Sequence, residues 1–118
     1  MSTLTVTNIK KTGETASRGV SGVAAAWATL SSDLSTVLDS LNVSSGTDLG
    51  TANSQINYTN NLTGRPSVSV EADASTAAPW FTVVDAVGTS SCSAVTFDNS
   101  GVKKDGRIPY YIVMGDLA

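Results

Sequence analysis

The residues able to do chemistry are few in this 118-residue chain. It has no histidine and one cysteine, so Ser-His-Asp and Cys-His machinery is absent and a zinc site is not expected. Its ten acidic residues are scattered singly, without the Asp-x-Asp-x-Asp-Gly spacing of a calcium loop. Cys92 has no adjacent base to activate its thiol, which predicts an inert side chain. These patterns predict no catalytic residue, no cofactor and no metal ion.

Several polar stretches have the superficial look of a ligand site. The run "GTDLGT" at residues 46–51 lacks the Gly-Lys-Ser/Thr that holds phosphates in a P-loop. The stretch "DNSG" beginning at Asp98 is interpreted as a polar turn and not as a cation site. Asn42, Asn57 and Asn61 each begin an Asn-x-Ser/Thr triplet, but the N-terminus lacks the layout of a secretory signal peptide. Glycosylation is therefore not expected.

The large aromatic and basic side chains are better candidates for contacts between proteins. Lys103, Lys104 and Arg107 form the one dense basic cluster. Its simplest interpretation is a solvated hairpin tip, and the alternative is a contact with an acidic neighbouring subunit. Trp27 and Trp80 are interpreted as core or interface residues in preference to sugar-stacking platforms.

Charge and hydropathy exclude further classes of partner. The net charge of −3 gives no general attraction for nucleic acid. The chain has no run of about 18 apolar residues, so membrane insertion is not expected. Without a signal-peptide pattern at the N-terminus, we expect synthesis in the cytoplasm of the producing cell.

The chain divides into a short N-terminal part and one domain. In residues 1–22, the alternation of Leu4 and Val6 with threonine predicts a strand, and a polar, glycine-containing arm follows it. Lys10 and Lys11 lie in this arm, which we expect to reach onto a neighbouring subunit or a larger particle. Residues 23–118 are predicted to form a single domain, in keeping with the length of the chain.

That domain is predicted to be all-β. Short alternating runs with turn signals every 8 to 15 residues indicate about seven or eight strands, typical of an antiparallel β-sandwich of jelly-roll-like form. The run "SSDLSTVLDSL" predicts at most one short helix near Asp33–Asp39. The apolar stretch 80–88 is predicted to be a strand between two layers.

A β-hairpin is predicted within residues 41–58. Leu41 and Val43 alternate with polar residues on one side of a turn at Asp48–Thr51, and Ile56 and Tyr58 do so on the other. We expect these four apolar side chains to share the buried face.

Four stretches of the chain are similar to a known family. "MSTLTVTNIKKTG", "AAAWATL", "LDSLNVSSGTDLGTANSQINYTN" and "MGDLA" resemble a recurrent β-rich domain of tailed bacteriophages, found at the ends of tail fibres and in short virion-associated proteins. The resemblance is strongest over Leu38–Asn60 and Gly115–Ala118. This chain has Gly46 where the family has an apolar strand residue, and Ser54 where an aromatic residue is usual.

The resemblance implies a non-enzymatic structural protein, displayed on the virion surface as a homotrimeric fibre or spike domain. Its implied partners are other copies of itself and other virion proteins of the fibre, neck or capsid. One alternative is a capsid cement or decoration protein, and another is a module that binds a host surface glycan. The candidate contacts with another subunit or with the particle are Lys10, Lys11, Trp27, Trp80, Lys103, Lys104 and Arg107.

Overall fold

A computed structural model describes residues 8–9, 18–19, 24–73 and 80–118. These residues form ten β-strands and no helix. The predicted N-terminal strand and the two lysines of the arm, Lys10 and Lys11, lie outside the described residues. The strands are β1 (Asn8–Ile9), β2 (Arg18–Gly19), β3 (Ala24–Leu30), β4 (Val37–Leu41), β5 (Val43–Gly50), β6 (Asn53–Tyr58), β7 (Ser67–Ala72), β8 (Phe81–Val87), β9 (Ser91–Phe97) and β10 (Pro109–Met114).

Eight of these strands form two four-stranded antiparallel sheets. The first sheet has the order β4-β3-β10-β7 and the second has the order β5-β6-β9-β8. The short strands β1 and β2 pair with each other. The prediction of an all-β antiparallel sandwich with seven or eight strands is thus confirmed.

The inner faces of the two sheets form one core. Along β3, Ala26, Ala28 and Leu30 are buried, and they alternate with half-buried Trp27 and Thr29. The small side chains of Ala26 and Ala28 leave room for larger ones from other strands, as a close-packed interior requires. The buried residues that the other strands contribute are Ile56, Tyr58, Cys92, Ala94, Tyr111 and Val113.

No helix forms near Asp33–Asp39, in keeping with the prediction of at most one short helix, because the side chain of Asp33 fixes a turn there. Its Oδ1 atom accepts hydrogen bonds from the backbone N–H of Ser35 at 3.0 Å and of Thr36 at 2.8 Å. Leu34 has a φ of 63°, which a right-handed helix does not allow. Strand β4 then begins at Val37. Asp and Ser compete in this way for backbone groups that a helix would use.

The hairpin β5–β6 confirms its predicted buried face except at Leu41. Ile56 is fully buried, Tyr58 is 6% exposed, and half-buried Val43 packs against the core. Leu41 is 49% exposed and belongs to the first sheet. The prediction for Leu41 is wrong because the chain turns at Asn42, whose φ is 55°, and crosses there from one sheet to the other. The hairpin turn itself lies at residues 51–52, directly after Gly50.

Asn42 joins the two sheets at this corner. Its Nδ2 group donates to the carbonyl oxygens of Ala25 and Asn60, both at 3.1 Å. Its Oδ1 atom accepts from the backbone N–H of Asn60 at 2.8 Å. Since Ala25 belongs to β3 and Asn60 follows β6, the hydrogen bonds of this one side-chain amide connect the two sheets.

Strand β8 lies at an edge of the second sheet and not between two layers, so that prediction is wrong. Among the described residues it pairs only with β9. Phe81, Val83 and Val84 are 49%, 43% and 36% exposed. The ladder shifts between Val84 and Ala86, which makes Asp85 the extra residue of a bulge.

Candidate interaction surface

The structure separates the residues that the sequence suggested as contacts. Trp27 lies in the middle of β3, and Trp80 immediately precedes β8 in the other sheet. Lys103 and Lys104 are exposed in the loop between β9 and β10, whereas Arg107 in the same loop is buried. The two tryptophans therefore lie on different sheets, and of the basic cluster only Arg107 contacts one of them, Trp80.

Arg107 is not part of a solvated hairpin tip, so that interpretation is wrong for this residue. It is only 4% exposed, and its guanidinium carbon lies 3.9 Å from the centroid of the Trp80 ring. This is a cation–π contact, which is stronger when water is excluded from it. It fixes the end of the loop just before Pro109, where β10 begins.

The exposed part of this loop is held by its own acidic residues. Asp98 Oδ1 accepts hydrogen bonds from the backbone N–H of Ser100 at 2.8 Å and of Val102 at 3.0 Å. The bond from Val102, the bond from Ser100 and the nearby Lys104 lower the pKa of the Asp98 carboxyl. The carboxylate of Asp105 accepts from the backbone N–H of Ala52. "DNSG" is thus a polar turn that binds its own backbone.

A continuous apolar surface lies elsewhere, on the outer side of the first sheet. In β10, Tyr110, Ile112 and Met114 are 41%, 51% and 39% exposed, and they alternate with buried Tyr111 and Val113. Antiparallel pairing places Trp27 opposite Ile112 and opposite Leu41. Cross-strand partners share a face of the sheet. These side chains form what we call the outer apolar face: Trp27, Leu41, Tyr110, Ile112 and Met114.

One shallow groove lies on the outer apolar face, and a second borders it at Leu41. The first has a volume of about 350 Å³ and is lined by Trp27, Tyr110 and Ile112, together with Ala24 and Thr29. The second has a volume of about 370 Å³, and Ala24 also lines it. Its other lining residues are Ala25, Leu41, Asn42, Thr59, Asn60 and Leu117. Small residues between large ones give this face both ridges and hollows.

The charged residues of this sheet lie at one end of the face. Pairing places Asp39 opposite Thr29, Thr29 opposite Tyr110, and Tyr110 opposite Glu71. Both acidic side chains are exposed. The next row, from Leu41 through Trp27 to Ile112, has no charge, and the four strands of the first sheet contain no Lys or Arg.

The sequence identified Trp27 in this face but missed its neighbours. The segment "PYYIVM" is apolar at nearly every position, so period two alone does not say which side chains point outward. The packing of Tyr111 and Val113 in the core decides the orientation of β10, so that Tyr110, Ile112 and Met114 point outward.

The described residues hold no cluster suited to metal binding, meaning three or more His, Cys, Asp or Glu close together. Burial raises the pKa of the Cys92 thiol, so it stays protonated within β9. The Tyr111 hydroxyl donates to the Ser54 carbonyl at 2.9 Å and lies 2.6 Å from the Ser54 hydroxyl. Ser54 thus provides the polar partner of a buried tyrosine. Within the described part of the chain, no helix is long and apolar enough to cross a membrane.

Comparison with known proteins finds no matching protein family, no similar curated protein and no similar solved structure.

Proposed function

We propose that this protein is a non-enzymatic structural component of a tailed-phage virion, displayed on the particle surface as a fibre-type or spike-type β-domain. The observation that carries the proposal is the outer apolar face, because contiguous exposed apolar surface marks a site of association. The sequence resemblance to tail-fibre and virion-associated domains supplies the setting in which such a face is used.

The proposed role is mechanical and architectural. The sandwich provides a rigid body, since the Asn42 amide ties its two sheets together and the Arg107–Trp80 contact holds the start of its last strand. We propose that copies associate as a homotrimer, the closed symmetry usual for the fibre domains that this chain resembles. Residues 1–22, with Lys10 and Lys11, would attach the domain to other virion proteins.

Quantitative mass spectrometry of purified virions tests this role. We expect the protein in the particle at a few to a few tens of copies, in multiples of three. Hundreds of copies per particle would instead indicate the capsid cement or decoration role. Absence from washed, intact particles would refute a virion function altogether.

One observation favours a host-glycan module as the second candidate. Trp27 and Tyr110 line the same groove, and the carboxylates of Asp39 and Glu71 lie in the row of Tyr110. Sugar sites commonly combine an aromatic platform with polar side chains that accept hydroxyl hydrogens. The row on the other side of Trp27 is apolar, which fits a protein partner better than a sugar.

A further inference from the structure

We propose that the outer apolar face is the contact between copies of this chain, with exposed Ile112 or Leu41 of one copy packed into the groove beside Trp27 of the next. This inference rests on the proposed function and specifies the partner of its interaction surface. The occupant is a second copy of the same chain, for three reasons given by shape, charge and area.

The shape of the face offers both ridges and a hollow. Leu41 and Ile112, each about half exposed, flank the less exposed Trp27 in one row and form its ridges. Trp27, Tyr110 and Ile112 line one groove beside this row, and Leu41 lines the other near Asn42. In a homotrimer, a ridge of one copy can pack into the hollow of the next, a head-to-tail contact that closes into a ring.

The charges of the face also fit a copy of itself better than a charged partner. Asp39 and Glu71 lie together at one end, in the row of Tyr110. The uncharged rows through Trp27 and Met114 can therefore be buried against neighbouring copies while the carboxylates stay in water. A basic partner would be attracted only to the acidic end of the face. The uncharged rows need an apolar partner surface, which another copy supplies.

The area is of the right order for an interface centre. If a large side chain offers roughly 200 Å² at full exposure, the four side chains of Leu41, Tyr110, Ile112 and Met114 at about half exposure present on the order of 400 Å². A standard interface buries about 800 Å² per partner. The face thus supplies the apolar centre, and Leu117 beside Leu41 and the polar residues of β7 extend its rim.

The substitution Ile112→Lys tests the contact, because it places a charge in the middle of the face. We expect the full-length protein to be an oligomer by sedimentation velocity and native mass spectrometry. In Ile112→Lys the apparent dissociation constant should rise by about a hundredfold or more, as for the central residue of an interface. Leu41→Lys, at the edge strand of the same sheet, should act in the same direction and serves if Ile112→Lys does not fold.

Val83→Lys is the matched control. Val83 is a β-branched strand residue with 43% exposure, but it lies in the second sheet, so this variant should associate like the wild type. Circular dichroism and thermal unfolding verify that each variant is folded. A monomeric wild type, or an oligomer that survives both Ile112→Lys and Leu41→Lys, would overturn the inference. Detection in virions is independent of either result, so failure of the interface and failure of the virion role are distinguishable.

Discussion

At the scale of single residues, Gly46 sets how closely the two sheets approach. A Cβ atom at this position would lie 2.5 Å from the backbone oxygen of Ser35 and 3.0 Å from Leu30 Cδ2. Backbone atoms cannot move aside as the end of a flexible side chain can. The glycine at this position is therefore explained by the β3–β4 turn, which packs directly on β5.

The substitution Gly46→Ala should consequently lower the free energy of unfolding by about 1 to 3 kcal/mol, the usual range for overpacking. Gly64→Ala is the control, because nothing lies within 4 Å of a Cβ there. It should stay within about 0.5 kcal/mol of the wild type. Urea unfolding at one fixed protein concentration measures both variants, and equal stability of the two would contradict this account of Gly46.

Arg107 illustrates what residue types alone do not disclose. In sequence it is the last of three neighbouring cations, and surface exposure is the usual state of such residues. In the fold its planar guanidinium stacks on Trp80, which is 27 positions earlier in the chain. The pairing of β10 with β7 in one sheet and of β8 with β9 in the other brings this end of the loop near that ring, and the sequence does not specify these pairings.

At the scale of elements, the turn between β3 and β4 depends on an ionised carboxylate. Hydrogen bonds from the side chains of Ser31 and Thr36, and then from backbone N–H groups, hold the pKa of Asp33 far below its usual range. A carboxyl whose pKa is lower in the folded than in the unfolded chain stabilises the fold above the unfolded pKa, near 4. That stabilisation is lost as the pH falls below this value.

We therefore expect the melting temperature of the wild type to fall as the pH is lowered from about 5 to about 2. Asp33→Asn should flatten part of this dependence, because an amide does not titrate. Asp98→Asn should flatten another part, since the pKa of Asp98 is also lowered. Differential scanning fluorimetry measures the melting temperature across this pH range for the wild type and for the double variant Asp33→Asn/Asp98→Asn. Equal dependence of the melting temperature on pH in these two proteins would contradict the prediction.

The all-β class followed from the sequence, whereas the sheet membership of particular residues did not. Alternation of apolar residues with Ser, Thr and Asn has a period of two, which identified most strands without their partners. No helix forms near Asp33, although apolar spacing of three and four residues allows a short one, because Asp and Ser bind the backbone of a turn there. Leu41 lies in the other sheet because Asn42 adopts a left-handed conformation, and nothing in the sequence pattern indicates that corner.

At the scale of the whole molecule, the proposed assembly should depend on apolar burial and not on surface charge. The electrostatic screening length falls from about 10 Å at 0.1 M salt to about 3 Å at 1 M. A contact through exposed Lys103 and Lys104 would weaken strongly over this range, whereas the outer apolar face contains no cation.

We expect the dissociation constant of the oligomer to change by less than about threefold between 0.1 and 1 M NaCl. The double variant Lys103→Ala/Lys104→Ala should associate as the wild type does. Analytical ultracentrifugation at both salt concentrations measures these values. A rise of tenfold or more at high salt, or dissociation of the double variant, would assign the contact to the basic loop instead.

The bulge in β8 bears on pairing between the edges of two chains. Among the described residues β8 pairs on one side only and exposes Phe81 and Val83, the combination from which fibrils grow. Asp85 interrupts the ladder at the middle of this edge with an extra residue and a negative charge. An incoming strand would meet a kink and a carboxylate after a few residues, and such features disfavour the addition of another chain.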